Sequence, residues 1–342
     1  MTCPPDESQT PRCGWRSIFS QWLGENPPLR KQPLGKTGRI ALDRAMANSA
    51  EEDRQRRLIH EYFGDDARIR QLRASPLFGA ALFVVDFDRG SRHYRTLGSF
   101  GAAFDKSIAN WFGGRDQVTE QSSMDLLYPA QLVFHYERLM SLAFGFVAQP
   151  INALLLGVGG AAMWRFMRAY LPECAPTLVD CDEVVVALAK RWFYLTHPVV
   201  IDTAERFLAG TTDKFDVILV DLYNSGGPAE FDARFWSRCF DALAPGGCLA
   251  TNWADFAINR KVKPMAESQA EVARANGFDC FYVTRRGFRD NLIQYVPTAE
   301  GRRLETLTYI HERFAKERRL PNNGRGILEQ CVVTPNFPID FD

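Results

Sequence analysis

The chain has 342 residues, 46% hydrophobic and 24% charged, which fits a globular α/β protein of one large domain or two smaller ones. Lysine plus arginine and aspartate plus glutamate each number 41, so no excess charge draws the chain to nucleic acid or an anionic membrane. No apolar run nears the roughly 20 residues of a bilayer span, and the N-terminus lacks the apolar core of a secretory signal, so a cytoplasmic location is expected. The eight cysteines form no C-x-x-C pair and the five histidines do not cluster with acids, so buried thiols and no metal site are expected.

Residues 1–75 read as a Pro- and basic-rich arm followed by a charged helix that Ser49 is placed to cap. In 76–148, "ALFVVDFDRGSRHYRTLGSF" has the β-rich pattern of a hairpin around an Asp-Arg-Gly turn, and a polar turn near "GGRDQ" follows. Beyond Pro129, Leu132, Tyr136, Leu139 and Met140 recur at helical spacing, so this segment reads as a small β-rich domain leading into a helix.

From 149 to 300 strands and helices alternate. "INALLLGVGG", "TLVDCD", "PVVID", "FDVILVDLY" and "PGGCLATNW" are strands; "AAMWRFMRAYL", "EVVVALAKRWF", "TAERFLA", "EFDARFWSRCFDAL" and "KPMAESQAEVARANGF" are helical. "CFYVTRR" and "NLIQYVP" close the series as an antiparallel pair at one edge. Continuous apolar strands between helices predict a doubly wound, mostly parallel, seven-stranded Rossmann-like sheet. Residues 301–342 add an amphipathic helix and a Pro-rich tail.

Ligands of such sheets sit beyond the carboxyl ends of the strands. Gly157, Gly159 and Gly160 allow a sharp turn and a close backbone approach there. Asp180, about 20 residues on, ends the next strand, where a carboxylate accepts from both hydroxyls of a ribose. Asp202, followed by Thr203, ends the third strand, within reach of an adenine amino group. Asp221 ends the fourth, with Tyr223 and Asn224 following. A nucleoside pocket results; a dinucleotide and a sulfonium nucleoside both fit the glycine turn.

The stretches "LLLGVGGAAMWRFM", "TLVDCDEVVVALAKRWF", "VVIDTAERFL", "FDVILVDLYNSGGPAEFDARFW" and "LAPGGCLATNW" resemble the spermidine synthase (polyamine aminopropyltransferase) family, and most closely its divergent orphan members. The resemblance covers roughly half the chain. It implies the class I S-adenosylmethionine-dependent methyltransferase fold, preceded by a small β-rich domain. It also implies ribose binding by Asp180 with Asp182 completing the signature, adenine binding at Asp202, a catalytic loop from Asp221 to Ala229, and a cofactor contact from Gln121. Dimerisation through the N-terminal region is a family-level expectation.

Three departures bear on chemistry. The first-loop Asp that holds the aminopropyl ammonium in the family is Gly160, and the catalytic Asp of the fourth-strand loop is Asn224. The polyamine-binding stretch is reduced to Asp125–Gln131, leaving Tyr128 as its aromatic. A buried ammonium without a carboxylate costs several kcal/mol, so putrescine is disfavoured and intact S-adenosylmethionine is preferred over its decarboxylated form. Asn224 cannot take up a proton but can orient an amine. Tyr223, Tyr128, Trp253 and Phe256 are placed to wall the pocket against the sulfonium, with a core role as the alternative for each.

The expected function is therefore alkyl transfer, of aminopropyl type, from S-adenosylmethionine or its decarboxylated form to a small-molecule acceptor other than putrescine. A methyltransferase, an enzyme transferring or cyclising the aminocarboxypropyl arm, and a catalytically silent nucleoside-binding protein are the alternatives. Arg89, Arg92 and His93 on the hairpin are candidates to bind an acidic acceptor group, against ordinary surface solvation. His135 is expected to be packed or at the surface rather than to act as a base.

Overall fold

The computed structural model describes residues 49–75, 80–100, 118–224, 227–228, 231–254, 262–285, 291–298 and 331–334. The N-terminal arm, the "GGRDQ" turn, Phe256 and the helix expected after residue 301 lie outside them.

Helix α1 (Ser49–Phe63) precedes a four-stranded antiparallel meander, β1 (Arg68–Ser75), β2 (Ala80–Arg89), β3 (Arg92–Phe100) and β4 (Val118–Asp125). β1 falls in the stretch read from sequence as the charged arm; paired with β2, it belongs to the small sheet. The predicted hairpin forms, with Arg89 opposite Arg92 and Gly90 at φ 64 in the two-residue turn. β2 is apolar from Ala80 to Val85 because both of its faces are covered there. Phe83, Val85 and Phe87 pack with Ile59 of α1. Leu82 and Val84 point the other way, with period two, against Val185, Leu188 and Phe193 of the following domain.

Two short helices come next, α2 (His135–Ser141) and α3 (Ala143–Phe146). The helix expected from Leu132 begins three residues later. Arg138 turns back onto the carbonyls of Leu132 (2.8 Å) and Val133 (3.1 Å), holding that segment outside the helix.

The larger domain runs β5 (Asn152–Leu156), α4 (Ala162–Tyr170), β6 (Ala175–Asp180), α5 (Glu183–Trp192), β7 (Val200–Ile201), α6 (Ala204–Gly210) and β8 (Phe215–Val220). It continues through a two-residue ladder, β9 (Tyr223–Asn224) with β10 (Gly227–Pro228), then α7 (Ala233–Ala242), β11 (Leu243–Ala254), α8 (Val262–Ala275), β12 (Phe281–Arg285), β13 (Asn291–Pro297) and β14 (Cys331–Thr334). The sheet order is β14-β12-β13-β11-β8-β5-β6-β7, with β7, β6, β5, β8 and β11 parallel and β12, β13 and β14 antiparallel to their neighbours.

Among the described residues the sheet therefore has eight strands rather than the expected seven. β14, from the tail, pairs with β12 and covers what would otherwise be an open edge. Leu155, Leu219 and Ala250 face α2–α4, whereas Leu154, Ile218 and Leu249 face the α6–α8 side. This two-sided burial is what the unbroken apolar strands encode. Among the described residues no helix is long and apolar enough to cross a membrane.

Candidate active site

The carboxyl ends of β5, β6, β7 and β8 line up, with Asp221 donating its amide to Leu156 (2.9 Å) and Asp202 to Asp180 (3.3 Å). Between β5 and α4 the backbone turns through Gly157 at φ +90, a conformation only glycine adopts cheaply. A Cβ there would lie 2.1 Å from the Asp221 carbonyl oxygen. Ala161 ends the turn at φ 58, in left-handed backbone that costs a non-glycine residue about 1 kcal/mol or more.

Arg165 on α4 holds the turn down. Its buried guanidinium donates to the carbonyls of Gly160, Pro129 (2.8 Å) and Phe193 (3.1 Å), and burial lowers its pKa to about 10. It joins the glycine loop to the segment before α2, and its one signal in the sequence is a lone arginine within the apolar stretch "AAMWRFM".

Asp180 stands at the mouth of the turn. Its carboxylate accepts from the amides of Val158 (2.9 Å) and Asp182 (2.9 Å). Burial raises its pKa, and those same amides oppose the rise. Each carboxylate oxygen has a further lone pair. Asp202 accepts from the Thr203 amide (2.8 Å) and pairs with Arg206 (3.2 Å), while the Thr203 hydroxyl caps α6.

Asp182 does different work from that expected of it. Its side chain is buried, accepts from the amides of Val184 and Val185 as the N-cap of α5, and takes a hydrogen bond from Ser75 of β1. With its oxygens committed to the helix start and the small sheet, it fixes the position of Asp180 from behind.

Gln121, Gly157, Gly159 and Asp221 meet around one cavity of about 50 Å³, together with Tyr136 and Glu137 of α2. That is room for a short aliphatic arm rather than a whole nucleoside. Asp221 accepts from Asn252 (2.8 Å), which accepts in turn from Asn291 (3.0 Å). The Tyr136 hydroxyl lies between the Gln121 carbonyl (3.3 Å) and the Asp221 carboxylate. Burial raises the Asp221 pKa, and the hydrogen bonds from Asn252 and Tyr136 oppose it. Glu137 accepts from the Phe134 amide (3.1 Å), and burial pushes its pKa up to about 8. Among the described residues, no lysine or arginine lines this cavity.

Gly160 is closed in: a Cβ there would lie 2.7 Å from the Ser122 hydroxyl and 3.3 Å from the Phe193 ring. A carboxylate at this position would need Ser122 to move.

Two expected pocket aromatics are elsewhere. Trp253 is 1% exposed, stands edge-on to Trp236 at 5.6 Å and donates to Gln294 (2.8 Å). It is core, buried because β11 is covered on both faces. Tyr128 is 54% exposed and is not among the residues lining the cavity. Its turn is organised by Asp125, which accepts from the amides of Leu127 (2.9 Å) and Tyr128 (3.2 Å). Tyr223 and Asn224 stand in β9, which Leu222 separates from Asp221.

Comparison with known proteins places the glycine turn in a family context. The profile of the spermine/spermidine synthase domain matches residues 134–303. Over that stretch the chain is spermidine-synthase-like. It is 36% identical over 150 residues to a polyamine aminopropyltransferase of Chromobacterium violaceum, covering 40% of this chain and 54% of that protein. Over 164 residues it is 34% identical to a polyamine aminopropyltransferase of Neisseria meningitidis, covering 45% and 60%. The matched stretch thus spans little more than half the length of these curated relatives. A probable spermidine synthase from Corynebacterium glutamicum shares the fold, with a TM-score of 0.57 at 18% identity over 78% of this chain and 91% of that one. In this spermidine-synthase-like chain, the helix that supplies Tyr136 and Glu137 opens the matched domain.

Proposed function

We propose that the protein transfers the aminopropyl arm of decarboxylated S-adenosylmethionine to an acceptor other than a simple diamine. The nucleoside would lie over the glycine turn, its ribose hydroxyls on Asp180 and its adenine near Asp202 and Thr203, with the arm entering the cavity below. The observation that carries this reading is the lining of that cavity. Asp221 and Glu137 bring two carboxyl groups to it with no cationic side chain, which favours an arm ending in an ammonium over one that also bears a carboxylate. This reverses the preference for the intact cofactor drawn from the acids missing at Gly160, at Asn224 and in the Asp125–Gln131 stretch. Asp221 and Glu137 are 84 residues apart in sequence, and together they stand in for the acid missing at 160.

Bound there, a sulfonium of this type supplies a carbon already activated for displacement, its sulfur leaving with the C–S electron pair. The chain's own part is placement and exclusion of water. Asp221, held by Asn252 and Tyr136, is the proton acceptor for the incoming amine. Asn224 orients that amine and Tyr223 flanks it. Gln121 fixes the upper wall, its side-chain amide anchored on the Ser99 hydroxyl (3.1 Å). No role remains for Trp253 as a pocket wall.

Mass spectrometry of the sulfur product tests the reaction class. Incubation with decarboxylated S-adenosylmethionine and a panel of amine acceptors is expected to release 5′-methylthioadenosine. S-adenosylhomocysteine formed from intact S-adenosylmethionine would replace this reading with methyl transfer. Absence of both products would leave a binding protein.

A further inference from the structure

A second cavity, of about 340 Å³, lies on the other side of β4 and α2. The two cavities take alternate residues from the same elements: Gln121 and Ser122 against Glu120 and Ser123 on β4, and Tyr136 and Glu137 against His135 and Arg138 on α2. Their electrostatics are opposite. The larger one is lined by three guanidinium groups, Arg89 of the hairpin, Arg138 of α2 and Arg285 at the end of β12, against one carboxylate, Glu120.

Glu120 does not neutralise the set. Its carboxylate lies 3.6 Å from Arg89 and takes hydrogen bonds from Tyr62 and Thr96 (3.4 Å each). Burial and the charges of Arg285 and Arg138 push His135 down to about 4, so it is neutral at physiological pH. Phe87, Tyr94 and Phe134 supply aromatic wall, with the Arg89 guanidinium 5.3 Å from the Phe87 ring centre. Of the hairpin residues considered for an acidic group, Arg89 alone lines the space. Arg92 is paired with Asp125 (3.1 Å) and His93 with Asp88 (2.5 Å).

We propose that this cavity binds a small molecule through its carboxylate or phosphate group. Arginine is suited to either group because its planar fork donates two parallel hydrogen bonds. A cavity lined by one sign of charge concentrates ligands of the other, and this volume falls within the range of small-molecule sites.

The test is calorimetric titration of the full chain with succinate and, separately, with inorganic phosphate at low ionic strength. A saturable one-to-one isotherm is expected for at least one of them, preference between the two reporting which group the site takes. Arg89→Gln and Arg285→Gln should each weaken it about tenfold, and the double variant should abolish it. 5′-Methylthioadenosine, titrated into the same variants, reads the nucleoside site separately. Anion binding that persists when the nucleoside fails to bind would uphold the cavity and remove only the transfer reading. No heat from either anion, or isotherms unchanged in both single variants, would overturn the proposal.

Discussion

Asp180→Ala is expected to weaken binding of 5′-methylthioadenosine about a hundredfold or more, read by calorimetry. Two hydrogen bonds from ribose hydroxyls to a carboxylate contribute about 1.5–3 kcal/mol each, enough for that loss. The same substitution strands the amides of Val158 and Asp182, so the glycine turn loosens along with the ligand contact. Asp180→Asn separates the two effects. It keeps the size and one acceptor oxygen, so one of the two amides stays paired, and it should lose less thermal stability than alanine and about tenfold in affinity. Unchanged affinity in the alanine variant would remove the ribose assignment.

Glu137→Gln is expected to change how stability depends on pH. In the fold, burial moves the carboxyl from its ordinary value of 4.5 to about 8. Below 4.5 both folded and unfolded states hold the proton, and the group adds no pH dependence. Between there and about 8 the unfolded chain releases it while the folded chain keeps it. Stability therefore falls as pH rises, by at most about 1.4 kcal/mol per pH unit from this one group. Glutamine keeps an acceptor for the Phe134 amide and has no proton to lose. Thermal melts from pH 5 to pH 8 should show the variant gaining steadily on the parent. Parallel curves would mean that Glu137 is not held protonated in the fold. A bound ammonium would pull the Glu137 pKa down again, so the same melts with ligand present should show a shallower slope.

Much of the fold was legible because parallel strands buried on both faces leave a simple signature. Apolar runs such as "LLL" and "VILV" alternate with amphipathic helices, and the glycine turn and strand-end acids mark which edge faces a ligand. β14 was not legible: its partner β12 precedes it by some 50 residues, and "CVVT" alone does not specify an edge. Asp182 carried a readable local signal, an acid directly before "EVVVAL", which is the pattern of an N-cap. In the fold, capping and the hydrogen bond from Ser75 occupy it. Trp253 and Trp236 look alike as isolated tryptophans; Gln294, reached only through the β11–β13 pairing, makes the first a core residue. The larger omission was Glu137. Nothing local in "FHYERLM" points at Asp221, and the two meet only because α2 packs against the sheet face beside β8. Pairings of that kind belong to tertiary structure, and the charge of both cavities depends on them.

The most direct test of the central claim is a crystal structure of the protein with 5′-methylthioadenosine. The ribose hydroxyls are expected on Asp180, the adenine beside Asp202, and the sulfur facing the space between Gln121 and Asp221. A vacant turn at saturating ligand, or a nucleoside seated away from Asp180, would contradict it.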